Sequence, residues 1–209
     1  MGVMSLSCSA VNLSAVLKPL PIIAGWTEVQ GACLKSDKPF HVKGPYTVFA
    51  VVHAWPGGIK GNAGLIGWGD HESDPRTGIG LRLKPGPTVL QLPLSPGRTS
   101  IETFWATAEP LSFDDEAPVS FSRAVLLETS FDGTEWQMRL NGNELTARAR
   151  VVGTNSGKGP LTIGQVGDGD YFRGDIAEIV IYDRAVYDAE RAQIEEYFSS
   201  RYALWQTIV

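Results

Sequence analysis

The chain predicts an all-β fold, two packed antiparallel sheets closed by one C-terminal helix. Short β-rich runs recur at intervals of roughly 8–20 residues with Gly and Pro between them, the spacing of a sandwich or barrel. They do not alternate with helical patterns, which argues against a parallel α/β sheet. The final segment, Tyr171 to Leu204, reads as strand, corner and helix.

Taken in order, residues 1–24 are expected to form an extended arm, because Lys18-Pro19-Leu20-Pro21 interrupts regular pairing. The domain body is expected over 25–209. Thr47 to His53, Gly64 to Asp70 and Ile79 to Lys84 read as strands, with Pro56-Gly57-Gly58 stopping the first and a polar loop, His71 to Thr77, between the other two. Thr88 to Leu94 and Ile101 to Ala108 follow across Ser95-Pro96-Gly97, and Glu109 to Pro118 is an acidic, Pro-bounded loop. Arg123 to Phe131, Glu135 to Leu140 and Asn143 to Val152 are separated by Asp132-Gly133 and Asn141-Gly142. Asn-Gly is the strongest hairpin signal of the chain, because both turn residues need positive φ. Leu161 to Val166 and Gly174 to Tyr182 complete the sheets. Asp188 is placed to cap the helix through its carboxylate, and Ile194, Tyr197 and Phe198 give that helix an apolar face.

Three segments resemble the laminin-G-like, concanavalin A-like jelly-roll superfamily. Tyr46 to Val52 (YTVFAVV) is similar to an early core strand. Ser130 to Leu145 contains DGTEW followed by LNG, like the family's Trp strand and Asn-Gly turn. Phe172 to Leu204 is similar to the closing motif, with FRGDIAE, IYDRA and AER before an aromatic helix end. The resemblance implies a two-sheet jelly-roll sandwich with one concave sheet and a rim of loops where relatives hold calcium, glycan or protein. It does not specify a ligand.

The 209 residues suit one domain, and 43% hydrophobic content supports a sizeable core. The net charge of −5 disfavours a general nucleic-acid binder, which needs phosphate-neutralising basic patches. No apolar run reaches the roughly 18 residues that span a bilayer. The N-terminus has no basic residue before Lys18, so it lacks the n-region of a secretory signal and cytoplasmic synthesis is expected. Cys8 and Cys33 have no CxxC spacing, which disfavours zinc and favours idle thiols over a bridge.

Carboxylate pairs bear on catalysis, because glycoside hydrolases also use the fold that the resemblance implies. Such a pair must share one face of a strand. Asp175 and Glu178 are three apart and on a regular strand face opposite sides, which fits a role in holding backbone or a partner such as Arg184. Glu128 has no second acid at the right step, and His41, His53 and His71 are isolated. A catalytic site is therefore not expected. Asp168 and Asp170, spaced by Gly169, could converge on calcium with a distant acid such as Asp70 or Asp74, or stand as a solvated turn. Trp55 and Trp68 border loop rims, where an exposed ring can stack on a sugar face. Asp70, His71 and Arg76 would supply polar contacts, and edge-of-core packing is the alternative for either Trp.

The function expected from these features is non-catalytic recognition or attachment to a carbohydrate or protein surface. A virion decoration or tail-associated component would reconcile cytoplasmic synthesis with an exported fold, its arm packing on a neighbour in a homo-oligomer or larger assembly. The alternatives are a stand-alone lectin-like domain and a glycoside hydrolase or lyase.

Overall fold

The structure, a computed structural model, describes residues 9–11, 20–30, 33–40, 42, 44–54, 63–69, 79–85, 99–104, 111–112, 123–145, 149–150, 159–165 and 171–204. It is the expected all-β, two-sheet sandwich with a C-terminal helix. In chain order the strands are β1 (Ser9–Val11), β2 (Leu20–Gln30), β3 (Leu34–Pro39), β4 (Tyr46–Ala54), β5 (Ala63–Trp68), β6 (Ile79–Pro85), β7 (Thr99–Phe104), β8 (Leu111–Ser112), β9 (Val125–Phe131), β10 (Glu135–Leu140), β11 (Asn143–Glu144), β12 (Ala149–Arg150), β13 (Pro160–Ile163) and β14 (Arg173–Tyr182). The first sheet runs β1-β3-β13-β5-β6-β7-β8 and the second β11-β10-β9-β4-β14-β2, with β12 also on β10. All pairs described are antiparallel except β1 with β3.

The apolar run in β4 is explained by burial on both faces. Tyr46, Val48, Ala50, Val52 and Ala54 enter the core between the sheets, with Trp136, Met138, Phe131, Ile66 and Ile176. Phe49 and Val51 point the other way, into a second cluster with Leu126, Ala177, Val180 and Phe198. That second cluster lies between the outer face of the second sheet and helix α1 (Asp188–Tyr202).

Several boundaries differ from the expectation, each for a physical reason. Segment 1–24 contributes β1 to the first sheet and the start of β2 to the second. Pro21 is tolerated because β2 is an edge strand, where a missing N–H costs no ladder bond. Leu111–Ser112, expected within a loop, pairs with β7. The expected strand over 143–152 is divided into β11 and β12, both against β10. Thr88 to Leu94 lies outside the described residues. The Asn141-Gly142 turn forms as expected, with φ of 51° and 77°. Helix α1 starts one residue earlier than a capping Asp188 would require. Tyr187 is its N-cap without a side-chain bond, and Asp188 instead pairs with Arg191 across one turn. Of the expected apolar face, Phe198 is buried and Ile194 partly so, while Tyr197 is exposed.

Candidate functional site

The described strands place Trp68 and the His53–Asp175 pair toward opposite ends of β4. Trp68 closes β5 beside Tyr46, the first residue of β4, with ring centroids 5.3 Å apart. Trp55 follows Ala54 at the opposite end of β4. At that same end Gln165 and Tyr171 bridge each other and Gly174 pairs with Ala54. Trp55, Asp70, His71, Arg76, Asp168 and Asp170 themselves lie outside the described residues. So do Cys8, His41 and His71, while Cys33 is buried.

Trp68 does not present a ring to a ligand. It is 0% exposed, its indole N–H donates to the Val42 carbonyl at 3.1 Å, and Phe40 and Tyr46 meet it edge-on. The reason is the inward parity of Trp68 on β5, shared with Ile66, which fills the core from the same face. A Trp beside a loop and a Trp at the end of a core strand look alike in sequence.

At the Ala54 end the closing motif shows why its residues are what they are. Phe172 is fully buried. A Cβ on Gly174 would sit 2.2 Å from the His53 carbonyl oxygen and 2.9 Å from the Phe172 ring, so only glycine lets β14 close on β4 there. Asp175 then meets His53 across the pair, Nδ1 to Oδ2 at 3.2 Å, both half-buried. Arg173, two residues before Asp175 on β14, is exposed. This His–carboxylate pair was not anticipated from sequence, because its partners are 122 residues apart.

The two acids of β14 do not face opposite sides. A register shift between Ile176 and Glu178, opposite both β2 and β4, resets the alternation. Ile176 and Ile179 both face the core. Asp175 and Glu178 are thereby both on the outer face. Glu178 is 3% exposed and accepts from the Tyr202 hydroxyl at 2.7 Å and the Tyr197 hydroxyl at 3.1 Å, with Arg201 at 3.4 Å. The expected partner Arg184 instead forms a two-point ion pair with Glu190. The Glu178 carboxylate raises the pKa of both tyrosines, after burial, the largest cause.

Further along the same face, Glu128 of β9 is 2% exposed and accepts from Arg191 Nε at 2.7 Å. Arg191 also donates to the Val186 carbonyl and to Asp188. Burial raises the Glu128 pKa to about 7 against the lowering pull of Arg191. Among the described residues no group of three or more His, Cys, Asp or Glu could hold a metal ion, and no helix is long and apolar enough to cross a membrane.

No family model matches the chain, and no curated protein matches it. Solved structures do. Domain 4 of AbnA, a GH43 extracellular arabinanase from Geobacillus stearothermophilus in complex with arabinotriose, is similar with a TM-score of 0.61 and 13% identity, over 91% of this chain and 86% of that one. Trypanosoma rangeli sialidase gives 0.58 and 14% over 88% of this chain, which spans only 28% of the sialidase. The CBM40 of Ruminococcus gnavus IT-sialidase bound to α2,3 sialyllactose gives 0.54 and 11%, over 85% and 96%. At these identities the likeness shows the fold alone, a jelly-roll β-sandwich.

Proposed function

We propose that this chain is a non-catalytic carbohydrate-recognition module, and that the end of the sandwich at Ala54 carries the ligand. The observation that carries this reading is the half-buried His53–Asp175 pair at that end, with the exposed Arg173 two residues before Asp175 on β14. Trp55 follows Ala54 in sequence, and Asp168 and Asp170 fall in sequence between Gln165 and Tyr171, which bridge each other. An aromatic face beside carboxylates and a cation is the chemistry that holds a sugar, by stacking on C–H faces and by hydrogen bonds to hydroxyls. The likeness to domain 4 of the arabinanase, determined with arabinotriose, and to the CBM40 bound to sialyllactose supports the class of ligand. An assembly role for segment 1–24 has weaker support, because β1 and β2 pair within their own chain.

Titration calorimetry with arabinotriose and α2,3 sialyllactose, preceded by a glycan array, tests the reading. Saturable binding is expected, weakened about tenfold or more by Trp55→Ala. Repeating the titration with chelator and with calcium reads the contribution of Asp168 and Asp170. Absence of glycan binding across the array overturns the reading, and binding that is unchanged in Trp55→Ala but lost in Asp70→Ala overturns the placement at the Ala54 end.

A further inference from the structure

Helix α1 is fastened to the second sheet by an unusual set of charges. Glu128 on β9 and Arg139 on β10 are cross-strand partners on the outer face. Arg191 and Glu195, one turn apart on α1, come down onto them. Oε1 of Glu128 takes Arg191, but its Oε2 is buried with no donor, and Oε1 of Glu195 is buried with no donor either. The two carboxyls nevertheless lie close enough for each to shift the titration of the other. Two ionised carboxylates are acceptors only and cannot bond each other, whereas one proton between them satisfies both orphaned oxygens at once. The pocket is closed from the side by the Asn141-Gly142 turn, since a Cβ on Gly142 would lie 3.2 Å from Glu195 Oε2.

We propose that Glu128 and Glu195 share one proton, carried on Glu128 Oε2 and donated to Glu195 Oε1, and that this proton makes the docking of α1 sensitive to pH. The charged groups facing the pair are Arg191 and Asp188 from α1 and Arg139 from β10, whose other contacts are the Gly142 carbonyl and Glu144. β4, on the other side of β9, faces Glu128 with Phe49. With the proton present, the cluster holds two arginines against Glu195 and the exposed Asp188. Without it, a second buried carboxylate is added beside Glu195 and the bond between the two is lost. Burial raises both carboxyl pKa values, Glu128 to about 7.

The sign follows from which state holds the proton. Once the chain or helix is released, Glu128 titrates near 4.5; docked, near 7. Between these values the docked state binds more protons, so docking weakens as pH rises, by up to about tenfold per pH unit, and levels off above about 7.

The test is a pH series from 4.5 to 8.5 on the full chain, with carboxyl 13C NMR of Glu and hydrogen exchange of the α1 amides corrected for intrinsic rate. The proposal expects one Glu carboxyl titrating near neutrality with a coupled response from a second, and α1 protection that falls toward pH 7. E128Q keeps an acceptor for Arg191 and a donor for Glu195. It is expected to abolish the near-neutral titration and flatten the pH dependence of α1 protection. Independent titration of all Glu carboxyls near 4.5 in the wild type overturns the proposal without recourse to any variant. An unchanged pH dependence in a folded E128Q overturns it equally.

Discussion

Gly174 shows how a single missing methyl positions a candidate site. Its hydrogen faces the His53 carbonyl at a distance where no Cβ fits, and the neighbouring contact is the buried ring of Phe172 rather than the end of a flexible chain. Gly174→Ala must therefore push β14 off β4 at the point where Asp175 meets His53. We expect a loss of about 3 kcal/mol from the denaturation midpoint, as for overpacking with little room to relax, together with weaker glycan binding. An unchanged midpoint would show that the two strands can separate there without cost. The FRGDIAE string was legible as a motif, yet the reason for its glycine was not, because the clash is with a carbonyl 121 positions away in the chain. Trp68 was legible only as one of two alternatives. Its parity on β5 decided for the core, and parity depends on a strand boundary that sequence places only within a few residues.

At the scale of elements, the central strands were legible because composition and period agree: β4, β9, β10 and β14 were read within two residues of their ends. Pro19 and Pro21 pointed to a strap, and only the place of β2 at the sheet edge makes Pro21 compatible with a strand. The shift within β14 left no mark in the sequence, so the acids on either side of it were assigned to opposite faces. Helix α1 was found from its aromatic spacing, but its seam runs through Arg191 and Phe198 rather than through apolar residues alone. Arg191 replaces the expected cap in importance, tying Glu128, Asp188 and the Val186 carbonyl together. Arg191→Met leaves the Glu128 carboxyl buried without its cation. It should destabilise by about 3 kcal/mol at pH 8, and by less at pH 5, where a proton on Glu128 offsets the missing charge. Denaturant titration at the two pH values measures the difference. Combined with Glu128→Gln the loss should shrink at pH 8, because no uncompensated charge remains to be buried.

For the whole molecule, the two apolar clusters make different demands on the same sheet. The inner one joins both sheets and includes Trp136, Tyr46 and Ile176, so the sandwich cannot form without it. The outer one exists only because α1 lies on the second sheet and covers Phe49, Val51, Leu126, Ala177 and Val180. Phe198 is the ring at its centre, stacked on Phe49 with centroids 5.9 Å apart and touching Tyr197 and Tyr202. Phe198→Asp puts a charge into that contact and should release the helix while leaving the inner core able to pair the sheets. The uncovered face would then be a contiguous apolar patch on a twisted sheet, the kind of surface that drives self-association. The expected result is a folded sandwich by far-ultraviolet dichroism that binds a hydrophobic dye and elutes as oligomers. Trp136→Asp, within the inner core, should prevent folding altogether. If Phe198→Asp instead unfolds the chain as completely as Trp136→Asp, helix and sandwich form one cooperative unit. The pH sensitivity of α1 docking would then have to appear in the stability of the entire domain.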